Sequence, residues 1–107
     1  RAAKAGELYC SPVSAWEIGL LASRGRVKLG LPVEAWVARA FTRPEVRIAP
    51  LSYDIAVRAS YLPGTLHPDP ADRLLVATAM AMGLPLVTRD QRLVEYGERG
   101  YLAVVVC

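Results

Sequence analysis

An α/β fold built on a small parallel sheet is what this chain predicts, on three observations. Short β-branched segments alternate with helix-like stretches along its length. Most helix-like stretches carry a capping residue or proline at the start or a glycine at the end. The 107 residues hold no repeat, low-complexity tract or linker. They therefore form one domain, 1–107, large enough to bury about two-thirds of its unfolded surface.

Residues 1–6 read as the tail of a helix closed by Gly6, and residues 7–10 as a short extended piece. A helix then starts at Ser11-Pro12 or at Ser14, which stands three residues before Glu17, the spacing of a capping box. Trp16, Leu20 and Leu21 follow at helical spacing, and the helix stops near Ser23-Arg24-Gly25. Arg26-Val27-Lys28-Leu29 alternates basic and apolar residues, as in an exposed strand or loop. Pro32 suits the first turn of a helix to about Thr42, with Val33, Trp36, Val37 and Ala40 on one stripe. Val46 to Ala49 is a strand between Pro44 and Pro50. Ser52 caps a helix with Ile55, Ala56, Ala59 and Leu62 inward, broken at Pro63-Gly64. Asp69 caps the most apolar helix, with Pro70 at its first position and Gly83 at its end. A buried strand from Pro85 to Thr88, a helix from Asp90 to Tyr96 and a strand from Tyr101 to Val106 complete the chain.

Composition excludes some functions. No apolar run reaches the ~18 residues of a membrane span, and Gly83 and Pro85 interrupt the longest one. The polar start lacks the apolar stretch of a signal peptide, which predicts a cytoplasmic protein with no membrane partner. Cys10 and Cys107 have no metal-ligand spacing and read as reduced, inert residues. The net charge of +3 permits a polyanionic partner without pointing to one.

Four acids stand at structurally meaningful places: Glu17, Asp69, Asp72 and Asp90. Each has a plain structural role open to it. Glu17 can close a capping box with Ser14, Asp69 and Asp90 can cap helices, and Asp72 can sit on a helix dipole. Taken together they suggest a metal site, because ligands in open α/β sheets bind beyond the carboxyl ends of strands. Asp90 lies just past one strand, and Asp72 opens the helix leading into that strand. A helix runs antiparallel to the strand it feeds, so their convergence needs further geometry.

Ser11-Pro12-Val13-Ser14-Ala15-Trp16-Glu17-Ile18, His67-Pro68-Asp69-Pro70-Ala71-Asp72-Arg73-Leu74-Leu75-Val76-Ala77-Thr78-Ala79 and Leu86-Val87-Thr88-Arg89-Asp90 together resemble the PIN-domain family. The likeness is strongest to the VapC-type toxins of toxin–antitoxin pairs. The order Ser-x-x-Glu, Asp-Pro-x-Asp-Arg, Thr-x-Asp is matched, with 55 residues from Glu17 to Asp72 and 18 from Asp72 to Asp90. The resemblance implies a three-layer PIN-like fold, with a small parallel sheet flanked by helices. It also implies a Mg²⁺- or Mn²⁺-dependent endoribonuclease. Glu17, Asp72 and Asp90 would be the catalytic and metal-holding acids, with Asp69 auxiliary or a cap and Thr88 behind them. A cognate antitoxin and a homodimer are the partners it implies. Against the family's pattern the chain is truncated, lacking the first strand with its Asp and the first helix. The competing reading is therefore a catalytically inactive remnant that serves as a protein-interaction module. A small-molecule α/β enzyme is disfavoured, since no glycine-rich phosphate loop or nucleophile elbow is present.

Arg24, Arg26, Lys28, Arg73 and Arg89 are the candidates for contact with RNA. Arg43 and Arg47 could extend that basic rim, while salt bridges and scattered surface charge are the plain alternatives. His67 reads as a turn residue rather than a general base. Trp16 and Trp36, on apolar stripes, read as core or dimer contacts rather than base-stacking platforms.

Overall fold

The computed structural model describes residues 8–106. The expected helix tail over residues 1–6, Glu7 of the first extended piece and Cys107 lie outside them. The described chain runs β1 (Leu8–Cys10), α1 (Pro12–Ser23), α2 (Val33–Phe41), β2 (Val46–Ile48), α3 (Tyr53–Arg58) with a 3₁₀ turn over Ala59–Tyr61, α4 (Pro70–Met82), β3 (Leu86–Thr88), α5 (Gln91–Glu98) and β4 (Val104–Val106). All pairing is parallel, as the alternation of elements predicts. Among the described residues it takes the form of two separate pairs: β1 with β2, from Leu8↔Val46 to Cys10↔Ile48, and β3 with β4, from Leu86↔Val104 to Thr88↔Val106.

α1 begins one turn earlier than the Ser14–Glu17 spacing predicts. The Ser11 side chain accepts the Val13 N–H at 3.0 Å, and Pro12, with no N–H to satisfy, occupies the first turn. Ser14 is therefore inside the helix and is not its N-cap. Residues 26–29 are loop, and β2 ends at Ile48, leaving Ala49 buried beyond it. The α2 stripe of Val33, Trp36, Val37 and Ala40 is present but only half-buried. On α3, Ile55, Ala59 and Leu62 face inward as expected, whereas Ala56 is exposed. The Ser52 hydroxyl donates to the Asp54 carboxylate and accepts no capping N–H. Trp16 is 52% exposed, which removes it from the core. Cys10 is a free, half-buried thiol.

α4 is the spine. Val76 and Ala77 are fully enclosed, and Ala71, Thr78 and Ala79 are nearly so. The core gathers around them from α3, the 3₁₀ turn and the loop after it, β3, α5 and Leu102. Gly83 ends α4 in the left-handed conformation at φ 64°, which turns the chain into β3 at little steric cost. α5 packs so closely on the β4 side that a Cβ on Gly97 would lie 2.6 Å from Val104 Cγ2. β3, α5 and β4 thus form a βαβ unit, with the start of α5 just past the carboxyl end of β3. β3 is confined to Leu86–Thr88 and β4 to Val104–Val106, both shorter than the apolar runs that predict them.

Candidate functional site

The site forms where two helices begin. At α4, Asp69 is the N-cap and accepts the Asp72 N–H at 3.1 Å, with Pro70 at the first helical position. That geometry turns the Asp72 side chain, only 14% exposed, toward the positive end of the helix. There Asp72 Oδ2 meets His67 Nε2 at 2.7 Å. An ionised carboxylate can only accept, so the imidazole donates through Nε2. His67 Nδ1 is buried and has no hydrogen-bond partner among the described residues. The histidine read as a turn residue thus holds one of the acids.

Arg73, the next residue, leaves the site altogether. Its Nε donates to the Ala59 carbonyl at 2.9 Å and its Nη1 to the Leu66 carbonyl at 3.0 Å. The guanidinium ties the 3₁₀ turn and the loop carrying His67 to α4. Two of its donors are thereby committed to backbone carbonyls, which leaves less of the guanidinium for the expected contact with RNA.

At α5, Thr88 closes β3 and its hydroxyl accepts the Asp90 N–H at 3.1 Å. Thr88 therefore fixes the backbone of Asp90. Asp90 is the N-cap: its Oδ1 accepts the Arg92 N–H at 2.9 Å. The Arg92 guanidinium folds back onto the same carboxylate, Nη2 lying 3.2 Å from Asp90 Oδ2, and reaches Asp72 Oδ2 at 4.0 Å. That hydrogen bond holds the Asp90 carboxyl below the usual carboxylate range.

Asp72 and Asp90 are thus brought to one place by a single cation. Arg92 was not among the residues singled out from the sequence. The available signal was its position two residues after a capping Asp, within reach of that carboxylate. Arg89 is exposed beside Asp90. Glu17 sits half-buried on α1, the helix that packs against α4. Among the described residues no three His, Cys, Asp or Glu side chains are gathered as a metal-holding group, so the expected trio is represented by the Asp72–Asp90 pair. Arg24, Arg26 and Lys28 are exposed at and beyond the far end of α1. That 12-residue helix puts them about 18 Å along its axis from Ser11.

The Asp90–Arg92 contact has a measurable consequence. The depressed Asp90 value means that the ionised form is favoured by folding. The stabilisation is therefore present above the ordinary carboxylate pKa of about 4 and lost as pH falls through the lowered value. Asn caps a helix as well as Asp does, so Asp90→Asn removes the charge and keeps the cap. Its urea midpoint is expected below that of the parent at pH 7, by less than about 1 kcal/mol, with the gap closing under pH 4. A gap that stays constant down to pH 2.5 would contradict the assignment.

Residues 1–99 match the PIN domain family. Over 89 residues the chain is 38% identical to Ribonuclease VapC22 of Mycobacterium tuberculosis, covering 83% of this chain and 67% of that protein. No solved structure gives a significant match. Among the described residues no helix is long and apolar enough to cross a membrane. The α/β fold, the capped acids at the starts of α4 and α5, and these two matches agree: the chain belongs to the PIN-domain family, in its VapC-like branch.

Proposed function

We propose that the chain is a divalent-metal-dependent endoribonuclease, the toxin of a VapBC-type pair, acting in the cytoplasm. The observation that carries this reading is the Asp72–Asp90 pair, two carboxylates from different helices sharing one guanidinium beyond the end of β3. A place that already accepts one cation between two hard oxygen donors fits Mg²⁺ or Mn²⁺, which are commonly held by one or two carboxylates plus substrate phosphate. Asp72 and Asp90 would hold the ion, with Glu17 on α1 the third acid that the family likeness offers. When bound, such an ion supplies a water of lowered pKa and neutralises charge on the scissile phosphate.

The rest is the work of this chain's own residues. His67 orients Asp72, while Thr88 and the helix cap orient Asp90. Asp69 acts as the cap of α4 rather than as a ligand. Arg89, exposed at the mouth, meets RNA phosphate, and Arg24, Arg26 and Lys28 supply a more distant basic steering surface. A cognate antitoxin and a second copy of the chain are the protein partners this reading brings with it.

The test is direct. Purified chain is expected to cleave single-stranded or structured RNA in the presence of Mg²⁺ or Mn²⁺ and to stop when the metal is chelated. Intact RNA after incubation with folded protein and saturating Mn²⁺ would rule the nuclease out. Cleavage indifferent to chelator would rule out the metal.

A further inference from the structure

We propose that Arg92 is a built-in counter-cation for the Asp72–Asp90 pair, which a divalent metal displaces and which RNA phosphate then receives. The inference rests on the metal-dependent reading above and adds a competitor that belongs to the chain itself.

Three observations support it. The guanidinium touches Asp90 through both Nε, at 3.4 Å, and Nη2, at 3.2 Å, while the same Nη2 lies 4.0 Å from Asp72 Oδ2. One cationic group therefore lies within 4.0 Å of both carboxylates. Second, Arg92 is the second residue of α5. The helix macrodipole disfavours positive charge at that end. Nothing in helix propensity calls for a cation there, and Asp90, Asp72 and Asp69 are the charges that attract it. Third, the Arg92 side chain is 59% exposed, whereas Asp72 beneath it is 14% exposed. The cation is the exposed partner of the group and the carboxylates are the more enclosed ones.

Exchange of one cation for another keeps the pair compensated throughout. The released guanidinium stays within a side chain's length of the site. Its planar fork of donors suits a phosphate as well as it suits a carboxylate. Arg92 thus lowers metal affinity in the absence of RNA and raises RNA affinity once metal is in place, coupling the two binding events.

Calorimetric titration of Mn²⁺ without RNA tests this on the parent chain, Arg92→Gln and Arg92→Lys, with far-UV circular dichroism confirming the fold of each. Arg92→Gln is expected to bind Mn²⁺ about two- to fivefold more tightly, the scale of an exposed ion pair removed as competitor. It is also expected to show a raised KM for RNA, while Arg92→Lys, which keeps the charge but not the fork, falls between it and the parent. Equal or weaker Mn²⁺ binding by Arg92→Gln, with clear binding by the parent, would overturn the role of Arg92 and leave the metal site standing. Absence of Mn²⁺ binding in all three would overturn both. An Asp72→Asn/Asp90→Asn chain that binds as the parent does would place the ion elsewhere and overturn both as well.

Discussion

With Asp72 holding the divalent ion as proposed, Asp72→Asn is expected to reduce RNA cleavage by about 100-fold or more while leaving the fold in place, because metal assistance contributes several kcal/mol to such a reaction. The substitution is isosteric. Asn still offers an oxygen to His67 Nε2, now held at 2.7 Å by the carboxylate, and still presents its backbone N–H to Asp69. What disappears is the negative charge on the more enclosed of the two acids. The Arg92 contact to Asp72 is long, at 4.0 Å, so its loss is expected to change stability by less than about 1 kcal/mol. Cleavage and urea midpoint measured on the same preparation separate the two effects. Undiminished cleavage by Asp72→Asn, and again by Asp72→Asn/Asp90→Asn, would remove this site from the chemistry.

The largest loss of stability is expected at Tyr96. Its side chain is completely enclosed on the inner face of α5, and its hydroxyl donates to the Pro63 carbonyl at 2.6 Å. Burial pushes the phenol up from its ordinary pKa, so it remains a donor throughout the physiological range. The ring also stacks on Tyr101, with centroids 5.0 Å apart, and lies under the Arg99 guanidinium at 5.5 Å. Tyr96→Ala is expected to cost about 3–5 kcal/mol, a large share of the ~5–15 kcal/mol that typically holds a domain together. Tyr96→Phe keeps the ring and leaves the Pro63 carbonyl without this donor, for an expected cost of about 1–2 kcal/mol. Chemical denaturation of the three proteins orders them. Phe as damaging as Ala would assign the effect to the hydroxyl rather than to packing. A loss under about 1.5 kcal/mol for Ala would mean that the pocket collapses around the missing ring.

α4 was the most legible element, because its signals are local and mutually consistent. Asp69, Pro70 and Gly83 each act on the backbone within a turn of themselves. α5 was legible for the same reason, with Asp90 as its cap, although the helix continues two residues past Tyr96 to Glu98. The start of α1 was harder to place because two serines compete for it. Pro12 decides in favour of Ser11, since a proline fits the first turn and cannot donate later in the helix. Ala56 is exposed because it lies about 100° around the helix from Ile55, off the stripe that Ile55, Ala59 and Leu62 bury.

The candidate site divides along the same line. Asp72 and Asp90 stand out in the sequence because a first-turn position in the one case and a capping position in the other coincide with a family-like motif. His67 and Arg92 did not, because their roles depend on where the loop before α4 and the first turn of α5 arrive in space. Arg73 reads identically to Arg89 as a basic residue beside an acid. Yet its guanidinium closes on the Ala59 and Leu66 carbonyls, and that of Arg89 is exposed.

By itself the sequence determined the alternation of elements, the caps of α4 and α5, the stop of α4, and the acids that mark the family. These follow from steric and hydrogen-bonding preferences that act over three or four residues. Tertiary structure alone decided that Asp72 and Asp90 share one cation, that His67 grips the first of them and that Arg73 serves the core. Such pairings depend on the angle at which α4 and α5 pack around the β3–β4 pair, and that angle is set by the fit of buried side chains such as Val76, Leu93 and Tyr96.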